Sequence, residues 1–217
     1  GLTESLAKVK SYNTLLHDFP IQDLLACKQI NPMITCIQNI FTHLRRVKNG
    51  YPVPRAIALV DAISKDMCNQ IKKILNTKKL LYLDYENFDV ATQGCSSLFG
   101  VWDSNLKTFY KNMVKLAKKR AEEVPQSVSL KHINLRNRIE ELRKFKRHHE
   151  DFKRVLKQVL PKGTTNTTRT LQGVSEAYSV VKSNDKNLLD VTDEGNNVWQ
   201  AAIQSYETKI DRLERSE

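Results

Sequence analysis

The sequence predicts an all-α protein, built as an elongated helical bundle with one long central helix. Apolar residues recur at steps of three and four along most of the chain, which is the spacing of one face of an α-helix. Seven Gly and six Pro are few for 217 residues, so long uninterrupted helices are expected. No segment shows the alternation of apolar and polar residues that is typical of a β-strand.

The longest amphipathic pattern, over residues 130–160, predicts the central helix. This stretch contains no Gly or Pro, and Pro161 with Gly163 supplies a stop signal. At about 1.5 Å per residue, a helix over residues 134–160 is roughly 40 Å long, which is typical of a scaffold rather than of a catalytic pocket. Its apolar stripe consists of Leu135, Ile139, Leu142, Phe145, His149, Phe152, Leu156 and Val159.

The other helices are predicted from their start and stop signals. Asn31 followed by Pro32 begins a helix, because Asn is a good N-cap and Pro suits the first turn. Residues 51–54 form an extended connector with two prolines. The stretch over residues 80–123 contains Gly94 and Gly100, which leave open whether it forms one long helix or two stacked ones. In chain order, helices are expected over residues 3–17, 23–25, 31–47, 55–76, 80–123, 174–182 and from residue 190 or 192 to residue 213.

The domain organisation is predicted from the polar stretch after Pro161. Residues 1–161 are expected to form one helical bundle. Residues 162–173 are rich in Thr and poor in apolar side chains, which predicts a flexible polar loop. Residues 174–217 are expected to contribute further helices that pack on the same bundle.

Composition and charge limit the function classes. No apolar run reaches the ~18 residues that a membrane-spanning helix needs, so no membrane insertion is expected. The absence of an initiator Met predicts a piece of a longer protein. Four scattered cysteines without a C-x-x-C pair indicate reduced thiols and a cytosolic protein. The net charge of +11 is uneven, since residues 107–120 carry six basic side chains and no acid, whereas residues 174–217 carry five basic and nine acidic ones.

The motifs of common enzyme and metal sites are missing from the sequence. None of the glycines lies in a phosphate-binding loop, and the five histidines form no H-E-x-x-H motif. The neighbouring acids Glu140 and Glu141 lie in an amphipathic helix among basic residues, as charges on a solvated face do. No catalytic residue, cofactor or metal ion is therefore expected, and the chain is predicted not to be an enzyme.

The basic residues of the central helix admit two interpretations. They either grip phosphates as a nucleic-acid-binding module, or form a protein surface laced with ion pairs. The second is favoured because acids lie four positions from bases, as with Lys146 and Glu150 or Arg147 and Asp151, and partly neutralise the positive field. A candidate protein-interaction face on this helix consists of Arg143, Lys144, Lys146 and Arg147.

Several stretches, in the same order along the chain, resemble the N-terminal tail region of the cytoplasmic dynein heavy chain. The stretches are residues 43–48, 51–57, 59–66, 77–80, 85–88, 142–150, 189–195 and 210–214, together with Trp199, Ala202 and Tyr206. The resemblance identifies the chain as a tail segment similar to the first helical bundle after the dimerisation region. Residues 162–173 depart from it, because this stretch is shorter than the corresponding loop of the family.

The resemblance also implies a function and partners. In this family the tail homodimerises with a second heavy chain, carries intermediate and light intermediate chains, and docks on dynactin with cargo adaptors. The ATPase ring lies far downstream and is not part of this segment. A non-catalytic structural and assembly role in the cytoplasm, in association with the cytoskeleton, is therefore expected. The alternative that is kept beside it is a basic helical nucleic-acid-binding module.

Overall fold

The computed structural model describes residues 3, 6–7, 19–47, 51–123, 131–159, 165–183, 185 and 188–215. Its helices are α1 (Ile21–Ala26), α2 (Ile30–Val47), α3 (Val53–Leu75), α4 (Thr77–Leu80), α5 (Tyr85–Arg120), α6 (Lys131–Val159), α7 (Thr165–Ser183) and α8 (Asp193–Glu214). Within these ranges there is no β-strand, and the predicted all-α fold class is confirmed. No helix among the described residues is long and apolar enough to cross a membrane.

The chain divides into two compact units. The first unit comprises Gly1–Ile74 and Gly94–His132, and the second comprises Leu75–Gln93 and Ile133–Glu217. The expected grouping of residues 1–161 into one bundle remains a prediction about domains.

The first unit is held together by an aromatic and aliphatic core. The ring of Phe41 on α2 lies 5.2 Å from that of Trp102 and 6.1 Å from that of Phe109, both on α5. The amide of Gln70 on α3 donates a hydrogen bond of 2.7 Å to the carbonyl oxygen of Cys27, directly after α1. These contacts join helices from distant parts of the sequence, and burial of such large apolar side chains is the main source of their stability.

The second unit has its core between α6 and α8. The ring of Phe145 lies 5.3 Å from that of Trp199 and 4.8 Å from that of Tyr206. The predicted stripe on α6 is buried at the described apolar positions, which are Leu135, Ile139, Leu142, Phe145 and Phe152. Helix α7 also packs against α8. The side chains of Leu156 and Val159 lie outside the described part of the structure.

The connector predicted over residues 51–54 is shorter than expected. Helix α3 begins at Val53, so Pro54 lies in its first turn rather than in an extended segment. Proline is accepted there because the backbone N–H that it lacks would have no intrahelical partner. The N–H of Val53 is instead bonded to the carboxylate of Glu122 at 2.7 Å.

The helix predicted over residues 80–123 is one continuous helix, but with different ends. It begins at Tyr85, because the carboxylate of Asp84 accepts a hydrogen bond of 2.8 Å from the N–H of Asn87 and so caps the first turn. It ends at Arg120, since Ala121 adopts a left-handed conformation with a φ of 53°. It runs through both Gly94 and Gly100, so the two-helix alternative is wrong.

The loop predicted over residues 162–173 is helical from Thr165 onward, so this part of the prediction is wrong. Helix α7 covers Thr165–Ser183, whereas the sequence predicted a helix only from residue 174. Threonine disfavours a helix only weakly, and the packing of α7 against α8 outweighs that preference. Residues 162–164 lie outside the described ranges, as does most of the helix predicted over residues 3–17.

The four cysteines are free thiols, as the sequence predicted. Cys27, Cys68 and Cys95 are buried, whereas Cys36 is half-buried. The sulfur atoms of Cys27 and Cys36 lie 3.7 Å apart, which is a hydrogen-bond contact between two thiols.

Candidate interaction face on helix α6

The four cations of the predicted face do not share one environment. Lys144 and Arg147 are exposed, Arg143 is half-buried, and Lys146 is only 2% exposed. The reason lies in the helical period, since residue 146 follows the buried Phe145 and precedes the half-buried His149 by three positions. The exposed part of the predicted face therefore consists of Lys144, Arg147 and the outer edge of Arg143.

The ammonium group of Lys146 is bound by other groups of the second unit. Its ammonium group donates hydrogen bonds to the carbonyl oxygens of Leu83 at 2.7 Å and Leu81 at 3.3 Å. It also forms an ion pair of 3.4 Å with Glu150 and lies 5.9 Å from the ring centre of Phe88. Burial lowers the pKa of Lys146, and the charge of Glu150 acts in the opposite direction. Lys146 thus fixes the segment before α5 to α6 and is not available to a partner protein.

Arg143 is positioned by an acid from another helix. Its guanidinium lies 2.8 Å from the carboxylate of Asp89 on α5 and 3.7 Å from that of Glu140 on its own helix. The hydrogen bond to Asp89 is the main cause that raises the pKa of Arg143. Because the Arg143 side chain is about one quarter exposed, its outer edge is still accessible beside Lys144 and Arg147.

The acids of α6 pair with bases, although not always at the predicted spacing. Lys146 and Glu150 pair four positions apart, as expected. Glu150 also pairs with Lys153 at 3.2 Å, and Asp151 pairs with Arg154 at 3.0 Å, in both cases three positions apart rather than four. Such pairs contribute little to stability, but they reduce the positive field of the helix.

Arg138 is a buried polar residue that the sequence placed only among the basic residues of the central helix. It is 1% exposed, its guanidinium donates to the side-chain oxygen of Asn196, and it lies 5.7 Å from the ring centre of Trp199. Burial lowers its pKa, and the nearby carboxylates of Glu141 and Asp190 oppose that shift. Its place beside Ile139 in the apolar stripe was the only signal available in the sequence.

The described residues contain little that resembles a reaction site. A cavity of about 50 Å³ in the second unit is lined mainly by apolar side chains, namely Val181, Leu188, Val198, Trp199 and Ala202, with Glu194 and Gly195 at its wall. Pockets for small-molecule ligands are usually several hundred Å³ in volume. Among the described residues, no three His, Cys, Asp or Glu side chains cluster so that they could hold a metal ion.

A known protein family matches this helical chain over nearly its whole length. The family described as "Dynein heavy chain, N-terminal region 1" matches residues 1–216. The chain belongs to the dynein heavy chain family. It is 36% identical over 220 residues to "Dynein heavy chain-like protein 1" of Plasmodium falciparum, with 98% of this chain and 4% of that protein covered.

Two cytoplasmic dynein heavy chains show the same relationship. The chain is 36% identical over 239 residues to "Dynein heavy chain, cytoplasmic" of Drosophila melanogaster, and 33% identical over 237 residues to the protein of that name in Dictyostelium discoideum. Each match covers 99% of this chain and 5% of the relative. This dynein heavy-chain segment thus spans only about one twentieth of the length of these relatives, and it matches the N-terminal region rather than the motor domain.

Both cytoplasmic matches extend over more positions than the 217 residues of this dynein segment. The relatives therefore carry additional residues within the matched region.

Proposed function

We propose that this chain is a non-catalytic structural and assembly segment of a cytoplasmic dynein heavy-chain tail. In this role it supports homodimerisation of heavy chains and the docking of intermediate and light intermediate chains, dynactin and cargo adaptors. It acts in the cytoplasm in association with microtubules. The observation that carries the proposal is the match of residues 1–216 to the N-terminal region of the family.

The architecture supports a mechanical and assembly role. Each unit places large aromatic side chains between helices, as with Phe41 and Trp102 in the first and Phe145 and Trp199 in the second. Helices packed in this way resist local opening better than loops do, because separating them exposes much apolar surface. The side chains of Lys146 and Arg143 bond α6 to the segment before α5 and to α5 itself, which favours a structural role for these two residues.

The docking surface proposed for the second unit is the exposed part of the face on α6. Lys144 and Arg147 lie on one side of the helix, next to the outer edge of Arg143. Exposed basic side chains at the rim of an interface guide the encounter with an acidic partner and add specificity more than affinity. We therefore propose these three residues as a contact of the tail with the dynactin–adaptor assembly.

The experiment for docking uses the full-length heavy chain assembled with its subunits. Lys144→Glu/Arg147→Glu is compared with Lys153→Glu/Arg154→Glu, which changes the same charge at exposed positions farther along α6. The first pair is expected to lower recovery of the dynactin–adaptor complex about threefold or more, and the second to lower it less than about twofold. The ATPase rate is expected to stay unchanged in both. Equal recovery for both pairs would remove α6 from the docking surface.

A separate measurement addresses dimerisation. Sedimentation equilibrium is performed on this segment alone and on the segment with its upstream heavy-chain region attached. If dimers form only when the upstream region is attached, this result would support the placement of the segment directly after the dimerisation region. Monomers in both cases would contradict the proposed support of homodimerisation.

The nucleic-acid-binding alternative is tested by titrating random duplex DNA at increasing salt. Submicromolar affinity near physiological salt, with a steep dependence on salt concentration, would favour that alternative. The ion pairs of Glu150 and Asp151 with neighbouring basic side chains argue against nucleic-acid binding by α6.

A further inference from the structure

The carboxyl-terminal part of α5, in the first unit, carries a row of lysines with no acidic residue between them. The row consists of Lys107, Lys111, Lys115, Lys118 and Lys119, and all five are exposed. Lys107, Lys111, Lys115 and Lys119 follow one another at four-residue steps, so they lie along one side of the helix over about 18 Å. We call these five residues the α5 lysine row.

The α5 lysine row differs from the basic residues of α6 in its pairing. On α6, Lys153 and Arg154 pair with Glu150 and Asp151. Residues 104–121 contain no acid at all, and none of the five lysines forms an ion pair with any described residue. Arg120, at the end of the same helix, is bonded to the carbonyl oxygen of Tyr51 and paired with Glu122. Within the described part of the chain, no ion pair therefore neutralises these lysines, and the nearest acids along the sequence, Asp103 and Glu122, lie beyond the two ends of the row.

Lys118 and Lys119, in the last turn of α5, interact favourably with the negative end of the helix dipole, but the repeated lysines before them oppose the stability of the helix. Like charges four residues apart repel one another, and the row contains three such neighbouring pairs. A partner with complementary negative charge would relieve this repulsion on binding. The row thus has the character of a contact surface more than of an ordinary solvated face, on which both signs of charge alternate.

The side chains around the row indicate what kind of partner it fits. The exposed positions between the lysines are Thr108 and Asn112, which are small and polar. The aromatic residues among these lysines are Phe109, which is buried, and Tyr110, which is half-buried and already interacts within the chain, so no fully exposed ring is available to stack on a nucleic-acid base. No large apolar side chain is exposed there to enter a membrane. These features favour carboxylates of a protein over phosphates of nucleic acid or lipid.

We propose that the α5 lysine row docks an acidic helix of a partner protein, one that presents Glu or Asp at four-residue spacing. Carboxylates repeated at this spacing on a second helix match the rise between successive lysines, which is about 6 Å. Ammonium and carboxylate groups then alternate along the contact, and the attraction weakens as salt screens it. The proposal goes beyond the assembly role proposed above and does not depend on it, because it rests on the first unit alone.

The test measures binding of a synthetic alanine-based helical peptide of about 20 residues with Glu at every fourth position. Fluorescence anisotropy is recorded at about 50 mM and about 150 mM salt, and a peptide with Gln in place of Glu is the ligand control. Lys111→Glu/Lys115→Glu is compared with Lys153→Glu/Arg154→Glu, which has the same charge change on α6. Lys111→Gln/Lys115→Gln serves as a milder variant, and circular dichroism confirms that each variant is folded.

The Glu peptide is expected to bind at least about tenfold more tightly than the Gln peptide at the lower salt. Lys111→Glu/Lys115→Glu is expected to weaken binding by about tenfold or more, and the α6 control by less than about threefold. Carbodiimide cross-links from the Glu peptide are expected to fall on the lysine row.

Three results would overturn the proposal. Equal weakening by the two charge-reversal pairs would mean that only net charge matters. Tighter binding to duplex DNA or to phosphatidylserine vesicles than to the Glu peptide would assign the row to phosphates. Self-association of the chain that Lys111→Glu/Lys115→Glu abolishes would make a second copy the occupant instead of a separate partner.

Discussion

The Nδ1 atom of His149 lies 2.6 Å from the hydroxyl oxygen of Tyr206, so that a hydrogen bond joins α6 to α8 inside the second unit. The imidazole also stacks on the ring of Tyr178 on α7, with 5.1 Å between ring centres. One histidine side chain therefore joins its own helix, α6, to both α7 and α8. The consequence is that its protonation is coupled to the packing of the whole unit.

The first prediction follows from the pKa of His149. Burial is the main cause that lowers it from 6.5 to about 4, and the charges of Lys153 and Lys146 add to the effect. Since the unfolded chain binds this proton more tightly, His149 contributes stability above pH 6.5 that is lost as the pH falls towards 4. Because the side chain is partly exposed and solvent screens the effect, the free energy of unfolding is expected to fall by only about 2 kcal/mol from this group between pH 6.5 and pH 4.

The measurement is the urea midpoint of the wild-type chain and of His149→Gln between pH 7.5 and pH 4.5, about three pH units. His149→Gln is expected to be less stable at the higher pH and to lose less on acidification. His148→Gln is the control, because the His148 side chain is about one third exposed and lies 3.8 Å from the exposed carboxylate of Glu207. Parallel pH profiles for the wild type and His149→Gln would show that this histidine does not titrate in the folded state as described.

The second prediction concerns Lys146, whose ammonium group bonds the carbonyl oxygens of Leu81 and Leu83. Lys146→Met keeps an unbranched side chain as far as the Cε position but leaves both carbonyls without this donor. It is expected to lower the free energy of unfolding by about 1–3 kcal/mol. Lys153→Met, which removes an exposed partner of the same Glu150, is expected to change it by less than about 0.5 kcal/mol. Chemical denaturation of both variants makes the comparison, and similar losses would contradict the structural role of Lys146.

The third prediction tests the apolar stripe of α6. Leu142 is 0% and Phe152 is 3% exposed, so replacement by Ala removes contacts on all sides. Each substitution is expected to lower the free energy of unfolding by about 2–5 kcal/mol. Lys144→Glu is the control, since Lys144 is exposed and a surface charge change is expected to cost less than about 0.5 kcal/mol. Equal melting temperatures for all three variants would refute the assignment of the stripe to the core.

The sequence predicted the fold class and the buried stripe, because both depend on a local period that every helix repeats. It failed where a side chain depends on a distant segment. Lys146 was placed on an interaction face, yet its ammonium group is satisfied by the carbonyls of Leu81 and Leu83, more than sixty positions away. The start of α7 at Thr165 was missed for a similar reason, since composition alone does not reveal packing against α8.

The two glycines inside α5 give the last prediction, because they have different surroundings. At Gly100 an added Cβ would meet nothing within 4 Å, and the position is exposed. At Gly94 it would lie 3.2 Å from the side-chain oxygen of Asn31 and 3.3 Å from a methyl carbon of Ile30, at the start of α2. The contact with Ile30 and Asn31 explains a glycine at position 94, whereas no such contact exists at position 100.

Alanine at either position favours the helix, because it restricts the unfolded chain. Gly100→Ala is therefore expected to raise the free energy of unfolding by about 0.5–1 kcal/mol. Gly94→Ala is expected to lower it by about 1 kcal/mol, since Ile30 and Asn31 must shift to admit the methyl group. Urea denaturation of the two variants measures the difference directly. A gain of equal size at both positions would mean that α2 does not approach α5 as closely at Gly94 as the structure describes.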